Sequence, residues 1–378
     1  PWDFQPVGDD GPIPEMPSGV DWPKVVVIVP ARNEAESLPK TLPALLKQEY
    51  IGKIHVIVVD DRSTDNTADV AAKLAFSMNK GDRFTVIRGK PLPEGWMGKV
   101  WAMHQGAQAA LQMKCDYVLL TDADILHAPT SLWRLVSQSR SEHLALNSRM
   151  ARLRCQDEPE KWLIPPFVFF FNLLYPMRRI NNPQDKLAGA AGGCVLLSRD
   201  ALQRIGPFEC IKSEVIDDVN LARQVKKHQL PIALSLSRKD VVSLREYPAT
   251  SDVWKMVRRT AFTELKYSYA RLFGAMLGLG LIFIVPFIAI LAGLLGVLLT
   301  PGPDVTLFAG WALLKGLLSV LVMRFVYAPA VRFFELPSFY AWTLPVAGVL
   351  YGMMTLDSAR RHARGQGVQW RDAAQPGG

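Results

Sequence analysis

Residues 54–75 read IHVIVVDDRSTDNTADVAAKLA, and their order decides the fold. Ile54–Val59 is a short apolar run rich in β-branched residues, which predicts a buried strand. Asp61–Asn66 is turn chemistry, and Thr67–Ala75 follows as a helix. The same alternation runs outward in both directions. Upstream, Val25–Val29 is a second buried strand, and Leu38, Leu42, Leu45 and Leu46 give Ala35–Gln48 helical spacing. Downstream come a strand at Phe84–Ile87, a loop at Pro91–Gly98, a helix at Lys99–Gln112 and a strand at Tyr117–Leu120. Strands alternating with helices predict an α/β fold with a doubly wound, mostly parallel sheet. Ligands of such sheets bind beyond the carboxyl ends of the strands.

Acidic residues fall at those ends. Asp60 and Asp61 follow one strand, and Asp122-Ala123-Asp124 follows another, so two carboxylate clusters converge on one edge. An Asp-x-Asp pair there offers oxygen ligands to Mg2+ or Mn2+, with a substrate's phosphates completing the shell. Asp60 and Asp61 read either as hydrogen-bond partners of a nucleoside or as Asx-turn caps. Glu214, Asp217 and Asp218 form a third cluster at the start of a helix expected over Val215–Lys227. A carboxylate there serves as general base or complements the helix dipole. Arg258 and Arg259, within Lys255–Thr260, suit a diphosphate or flank a membrane. His55, His104 and His127 have no paired spacing and read as structural.

The 378 residues exceed what one catalytic domain needs. Leu272–Thr300 carries no charge and is longer than the ~20 residues that cross a bilayer. Two further apolar runs cover Val305–Met323, interrupted by Lys315, and Phe339–Leu356. The net charge is +8, and from Thr250 onward twelve Lys and Arg stand against six Asp and Glu. This basic surplus flanks the apolar runs, which marks a cytoplasmic membrane face and argues against nucleic acid as partner. Three crossings would put Arg360, Arg361 and Arg364 outside. The run Leu272–Thr300 therefore bends back at Pro286, or a later run lies in the membrane without crossing. Trp162–Tyr175, short and broken by prolines, reads as a segment lying on the membrane or as a core helix. Four scattered cysteines without CxxC spacing fit reduced thiols in a cytosolic domain, with no structural zinc.

Taken in order, VVVIVPARNE, VVDDRSTDNT, the Gly98-Lys99 loop, LLTDADI, GGCVLLSRDALQRIGPF, EVIDDVNLA and WKMVRRT resemble family 2 of inverting glycosyltransferases with a GT-A fold. The resemblance runs from about Val25 to Thr260. The Gly95-Trp96-x-Gly98-Lys99-x-Trp101-Ala102 loop and Arg259-Thr260-Ala261-Phe262 are similar to hopanoid-associated glycosyltransferases. The tail ending VQWRDA is similar to that of membrane-bound members such as ceramide glucosyltransferases.

The resemblance implies a nucleotide-sugar donor, expected to be a UDP-sugar, and Mn2+ or Mg2+ as cofactor. Pro30, Arg32, Asn33 and Glu34 match the loop that closes on the nucleotide, and Asp60 and Asp61 its uracil and ribose contacts. Lys99 matches a donor-binding lysine, Asp122 and Asp124 the metal and diphosphate pair, and Gly192 and Gly193 a loop near the acceptor. Asp218 takes the catalytic-base position, with Asp217 where the family has Glu. Arg258 and Arg259 compete for the arginine of a Gln-x-x-Arg-Trp motif. If Arg259 is that arginine, Met256 and Thr260 replace Gln and Trp, which implies transfer of a single sugar.

The expected layout is a juxtamembrane segment at 1–24 with Trp2 and Phe4 near the membrane, then a GT-A domain at 25–260 with an interfacial segment at 160–180. Transmembrane or interfacial helices at 261–358 and a basic cytoplasmic tail at 359–378 complete it. The whole is placed in a bacterial inner membrane, with a lipid acceptor, a hopanoid first. Polyprenyl phosphate, ceramide and diacylglycerol are alternative acceptors. A processive polysaccharide synthase and an inactive nucleotide-sugar-binding scaffold are the other readings.

Overall fold

Strand β1 (Val25–Ala31) pairs in parallel with β2 (Ile54–Asp60) on one side and β4 (Tyr117–Thr121) on the other. Strand β3 (Phe84–Arg88) extends β2 in parallel. These strands belong to a computed structural model that describes residues 4–9, 11–15, 21–299 and 302–366. Helices α1 (Leu38–Leu46) and α2 (Thr67–Ser77) bury Leu38, Leu42, Ala71 and Ala75 against Val25, Val27, Val56 and Val58. Helix α3 (Gly98–Gln112) packs Val100, Met103 and Ala107 on the opposite face, against Val26, Ile28, Ile57 and Val59. Both faces of β1 and β2 are thus covered, which is why these strands are apolar at almost every position. Burial of each Val, Ile, Leu or Met here contributes roughly 1.5–3 kcal/mol, and each Ala less.

In the second half of the sheet one strand is reversed. Strand β7 (Cys194–Ser198) runs antiparallel to β4 and to β6 (Leu146–Met150), and β8 (Ile232–Leu236) closes the far edge parallel to β6. The order is β3-β2-β1-β4-β7-β6-β8. The expected α/β architecture holds, with a mostly parallel sheet of the GT-A type. A short ribbon of β5 (Ile125–His127) and β9 (Val241–Ser243) rises above β4. Helices α4 (Ser131–Ser141), α6 (Met177–Ile180), α7 (Arg199–Ile205) and α8 (Asp217–Lys227) complete this part.

Helix α5 (Glu158–Leu174) packs on α9 (Thr250–Glu264) and on the terminal helices. Phe169 and Phe170 meet Tyr327 and Tyr351 at 5.4 and 5.1 Å, and Leu163 O accepts the Tyr351 hydroxyl. One face of the helix is buried, through Leu163, Ile164, Val168 and Phe169 among others, while Trp162, Leu173 and Leu174 are exposed. The terminal helices thus supply partners for the aromatics of Trp162–Tyr175. Phe4 is also buried, against Phe333 at the end of the second long apolar segment. Trp2 and the VQWRDA tail lie outside the described residues.

The first long apolar run forms α10 (Tyr269–Phe283) and α11 (Val285–Leu299), offset at Ile284. Helix α12 (Pro303–Phe333) returns antiparallel to α11, close enough that a Cβ on Gly316 would meet Pro286 O at 2.6 Å. Two segments, Tyr269–Leu299 and Pro303–Phe333, are long and apolar enough to cross a membrane, and most of each is exposed. The third run packs back on the rest of the fold. It starts as a 3-10 turn at Ser338–Trp342 and continues as α13 (Leu344–Ala363), which is packed against α9, α5 and α10.

Candidate active site

The carboxyl ends of β1 and β4 open into a cleft enclosing about 770 Å3, solvent included. Pro30, Glu34, Lys99, Asp122, Asp124, Asp217 and Arg259 line it. Each arrives by a different route through the fold. Asp122 and Asp124 follow β4 directly. Asp217 and Asp218 occupy the first turn of α8, where the positive end of the helix favours acids. Lys99 occupies the first turn of α3, where the same dipole disfavours a cation. Two carboxylates compensate: Lys99 Nζ lies 2.9 Å from Asp122 Oδ1 and 3.3 Å from Asp217 Oδ2. Their charges outweigh burial and push the ammonium well above its usual pKa.

The antiparallel direction of β7 brings Gly192 into the site. Thr121, the last residue of β4, pairs with Cys194, the first of β7, so the residues just before β7 lie beside the acidic strand end. Gly192 N–H donates to Asp218 Oδ2 at 2.7 Å, and Val219 N–H donates to Asp218 Oδ1 at 2.8 Å. A Cβ on Gly192 would sit 3.2 Å from Lys99 Nζ and 3.3 Å from Asp218 Oδ2, so even alanine would press on both groups. Burial, and then the neighbouring Asp217 charge, raise the Asp218 carboxyl to about 7, against the pull of Lys99 and the two N–H donors. Gly193 faces away and packs on Ile125.

The remaining expected residues divide. Asp60 and Asp61 close β2, outside the cleft lining. Asp60 Oδ1 accepts from Ser63 N–H, the Asx-type contact of a turn. Asp61 is 1 % exposed and pairs with Arg32 at 3.2 Å and Arg62 at 3.5 Å. Asn33 Oδ1 accepts from Thr64 N–H, and Ser63 Oγ accepts from Asn33 N–H, tying the loop after β1 to the loop after β2. Glu34 bridges both regions: it lines the cleft, and its N–H donates to Thr67 Oγ1.

Arg258 and Arg259 have different surroundings. Its guanidinium pairs with Asp357 Oδ2 of α13 at 3.3 Å, whereas Arg259 lines the cleft. Adjacent residues on a helix point ~100° apart, which lets one meet Asp357 and the other the cleft. His55, His104 and His127 all hydrogen-bond within the fold, to Thr85, Pro207 and Thr121.

Arg245 also lines the cleft and carries no motif that would mark it in the sequence. It sits just beyond β9, which is docked by Leu244 N–H donating to Asp124 O. Met97 and Val100 supply apolar wall on either side of Lys99.

Among the described residues no group of three or more His, Cys, Asp or Glu gathers to cage a metal. Asp122 and Asp124 offer a smaller donor set, and the Asp122 side chain is 37 % exposed and open to a ligand. A hard divalent cation is commonly held by one or two carboxylates with phosphate oxygens and water, so this set fits such an ion together with a diphosphate.

Comparison with known proteins places this geometry. Residues 26–206 match the family described as Glycosyl transferase family 2. An N-acetylglucosaminyltransferase of Mesorhizobium japonicum is 35% identical over 152 residues, covering 39% of this chain and 33% of that protein. One of Bradyrhizobium elkanii is 30% identical over 148 residues, covering 39% of this chain and 75% of that protein. An undecaprenyl-phosphate mannosyltransferase of Micrococcus luteus is 33% identical over 126 residues, covering 33% of this chain and 48% of that protein. The chain spans about a third of the length of the first curated relatives it matches. The match over the sheet and its acidic strand ends, with the relative aligned over three quarters of its length, shows that this chain belongs to glycosyl transferase family 2.

Proposed function

We propose that this protein transfers a single sugar from a nucleotide-sugar donor, best a UDP-sugar, to a hydroxyl of a membrane lipid, with inversion at the anomeric carbon. The observation that carries the reading is the cleft in which Lys99 joins the donor-side Asp122 to the acceptor-side Asp217. Asp218, beside Asp217, is the general base. A carboxyl titrating near neutrality is matched to accepting a hydroxyl proton at physiological pH. The N–H groups of Gly192 and Val219 fix its orientation. The acceptor oxygen, losing its proton to Asp218, attacks the sugar on the face opposite the diphosphate. Asp122 and Asp124 would hold Mn2+ or Mg2+, which when bound offsets the charge of the departing diphosphate. Arg259 and Arg245 line the same cleft and suit the diphosphate oxygens. Pro30, Arg32, Asn33 and Glu34, with Asp60 and Asp61, form the polar loops assigned to the nucleoside. Gly192 and Gly193 belong to the acceptor side.

Two apolar helices and a basic belt support a site in a bacterial inner membrane, with the cleft facing the cytoplasm. The resemblance of the Gly95–Ala102 loop favours a hopanoid acceptor. The Micrococcus relative favours a polyprenyl phosphate as the second reading. The test is nucleotide release from a panel of UDP- and GDP-sugars by the protein in lipid, with Mn2+ or Mg2+. Each assay is run with a polyhydroxylated hopanoid, with a polyprenyl phosphate and with neither. Release stimulated by the hopanoid supports the first reading, and stimulation by the polyprenyl phosphate alone replaces it with the second. Nucleotide binding without turnover on any acceptor would leave an inactive scaffold.

A further inference from the structure

Lys99 makes contacts that donor binding alone does not require. Its ammonium touches a carboxylate from the end of β4 and another from the first turn of α8, and it lies beside the Gly192 loop. Its side chain is 18 % exposed, so little water shares the charge. We propose that Lys99 is a positioning residue that couples the two halves of the cleft: by dividing its charge between Asp122 and Asp217, it sets how freely Asp122 can take a metal–nucleotide, and metal–nucleotide binding in turn sets how tightly it holds Asp217.

The proposal rests on the functional reading above. An ammonium and a divalent cation compete for the same Asp122 oxygen, because two cations a few ångströms apart repel strongly in a poorly hydrated site. Asp217 draws the ammonium away from Asp122 and weakens that competition. Without the Asp217 charge, Lys99 rests on Asp122 alone and blocks it. The converse follows by linkage: loading Asp122 shifts Lys99 toward Asp217 and Gly192, beside Asp218. Donor loading would then tighten the hold of Lys99 on Asp217, next to an Asp218 already oriented by Gly192 and Val219.

A double-mutant cycle read by calorimetry tests this in the full chain, reconstituted in lipid, without turnover. The ligands are Mn2+ alone and Mn2+ with UDP or GDP. Asp217→Asn removes a negative charge near the metal in any case, so the decisive quantity is the difference between backgrounds. With Lys99 present, Asp217→Asn should weaken Mn2+–nucleotide binding at least about threefold more than it does in the Lys99→Met background, a coupling well inside the range for contacting residues. Lys99→Met alone should tighten Mn2+ binding, since it removes the competing cation, and Lys99→Arg should preserve the coupling. A purely structural lysine would give the opposite sign, with Mn2+ binding weakened by Lys99→Met. Equal losses in both backgrounds, or weakened Mn2+ binding in a Lys99→Met protein with unchanged thermal midpoint, would overturn the proposal. Absence of any Mn2+–nucleotide binding by the wild type would instead overturn the functional reading and, with it, the coupling.

Discussion

Asp218 is held by two backbone N–H groups that favour its charge, yet burial and Asp217 prevail and keep its carboxyl near neutrality. A base must be deprotonated to act. If Asp218 is the base, kcat/KM falls about tenfold per pH unit below pH 7 and levels off above it, the sign expected for a raised carboxyl. Asp218→Asn keeps the size of the side chain and removes the acceptor. It should lower transfer by roughly 10²- to 10⁴-fold with the Kd for nucleotide unchanged. Substantial transfer by that variant, or a rate flat from pH 5 to 8, would remove Asp218 from the mechanism. At this scale Asp60, Asp61, Asp122 and Asp124 were legible as a group because they follow strand ends, whose positions the apolar runs betray. The choice between Arg258 and Arg259 was not. It depends on which face of α9 meets Asp357, a partner 99 residues away in the chain. Arg245 was illegible for a related reason, since only the docking of β9 against Asp124 brings it to the cleft.

Elements that carry their own pattern were readable, and those defined by distant partners were not. The strands at Val25 and Ile54 and the helices between them needed only local periodicity. The antiparallel turn of β7, which delivers Gly192, follows from the path of the chain through α5 and α6 and leaves no local mark. Likewise α13 carries an apolar run like a membrane span, but its core residues are used up by α9, α5 and α10. The seam between α9 and α13 is polar at one point: Asp357 Oδ2 accepts from Trp254 Nε1 at 2.9 Å and from Arg258 at 3.3 Å. The Arg258–Asp357 pair is about a quarter to a third exposed, so water screens it and the indole bond carries most of the effect. Asp357→Ala should therefore cost about 1–2 kcal/mol, read as a lowered thermal midpoint in detergent. Because α9 also presents Arg259 to the cleft, the same variant should raise the KM for donor more than it changes kcat. An unchanged midpoint and unchanged KM together would show that the seam is held by apolar packing alone.

For the molecule as a whole, the number of membrane crossings fixes which side the terminal helix occupies. Three crossings would leave Arg360, Arg361 and Arg364 on the face opposite the catalytic domain, against the preference of basic residues for the cytoplasm. The fold offers a different count. Tyr269–Leu299 and Pro303–Phe333 are each 31 residues, about 46 Å of helix, ample for a ~30 Å hydrocarbon core. They run antiparallel as a hairpin, while α13 packs back on α9 of the catalytic domain. If both segments cross, the chain returns to the side it left, and the cleft, Arg332 and Arg364 would share one face, with Asp304 at the far end of the hairpin. Cysteine labelling in intact cells separates the two counts. Cys210, the exposed native thiol among the described residues, is first replaced by serine. An impermeant maleimide should then label an Asp304→Cys protein directly and an Arg364→Cys protein only after the membrane is opened. Direct labelling of Arg364→Cys would require an odd number of crossings after a cytoplasmic catalytic domain, and would overturn the two-crossing hairpin.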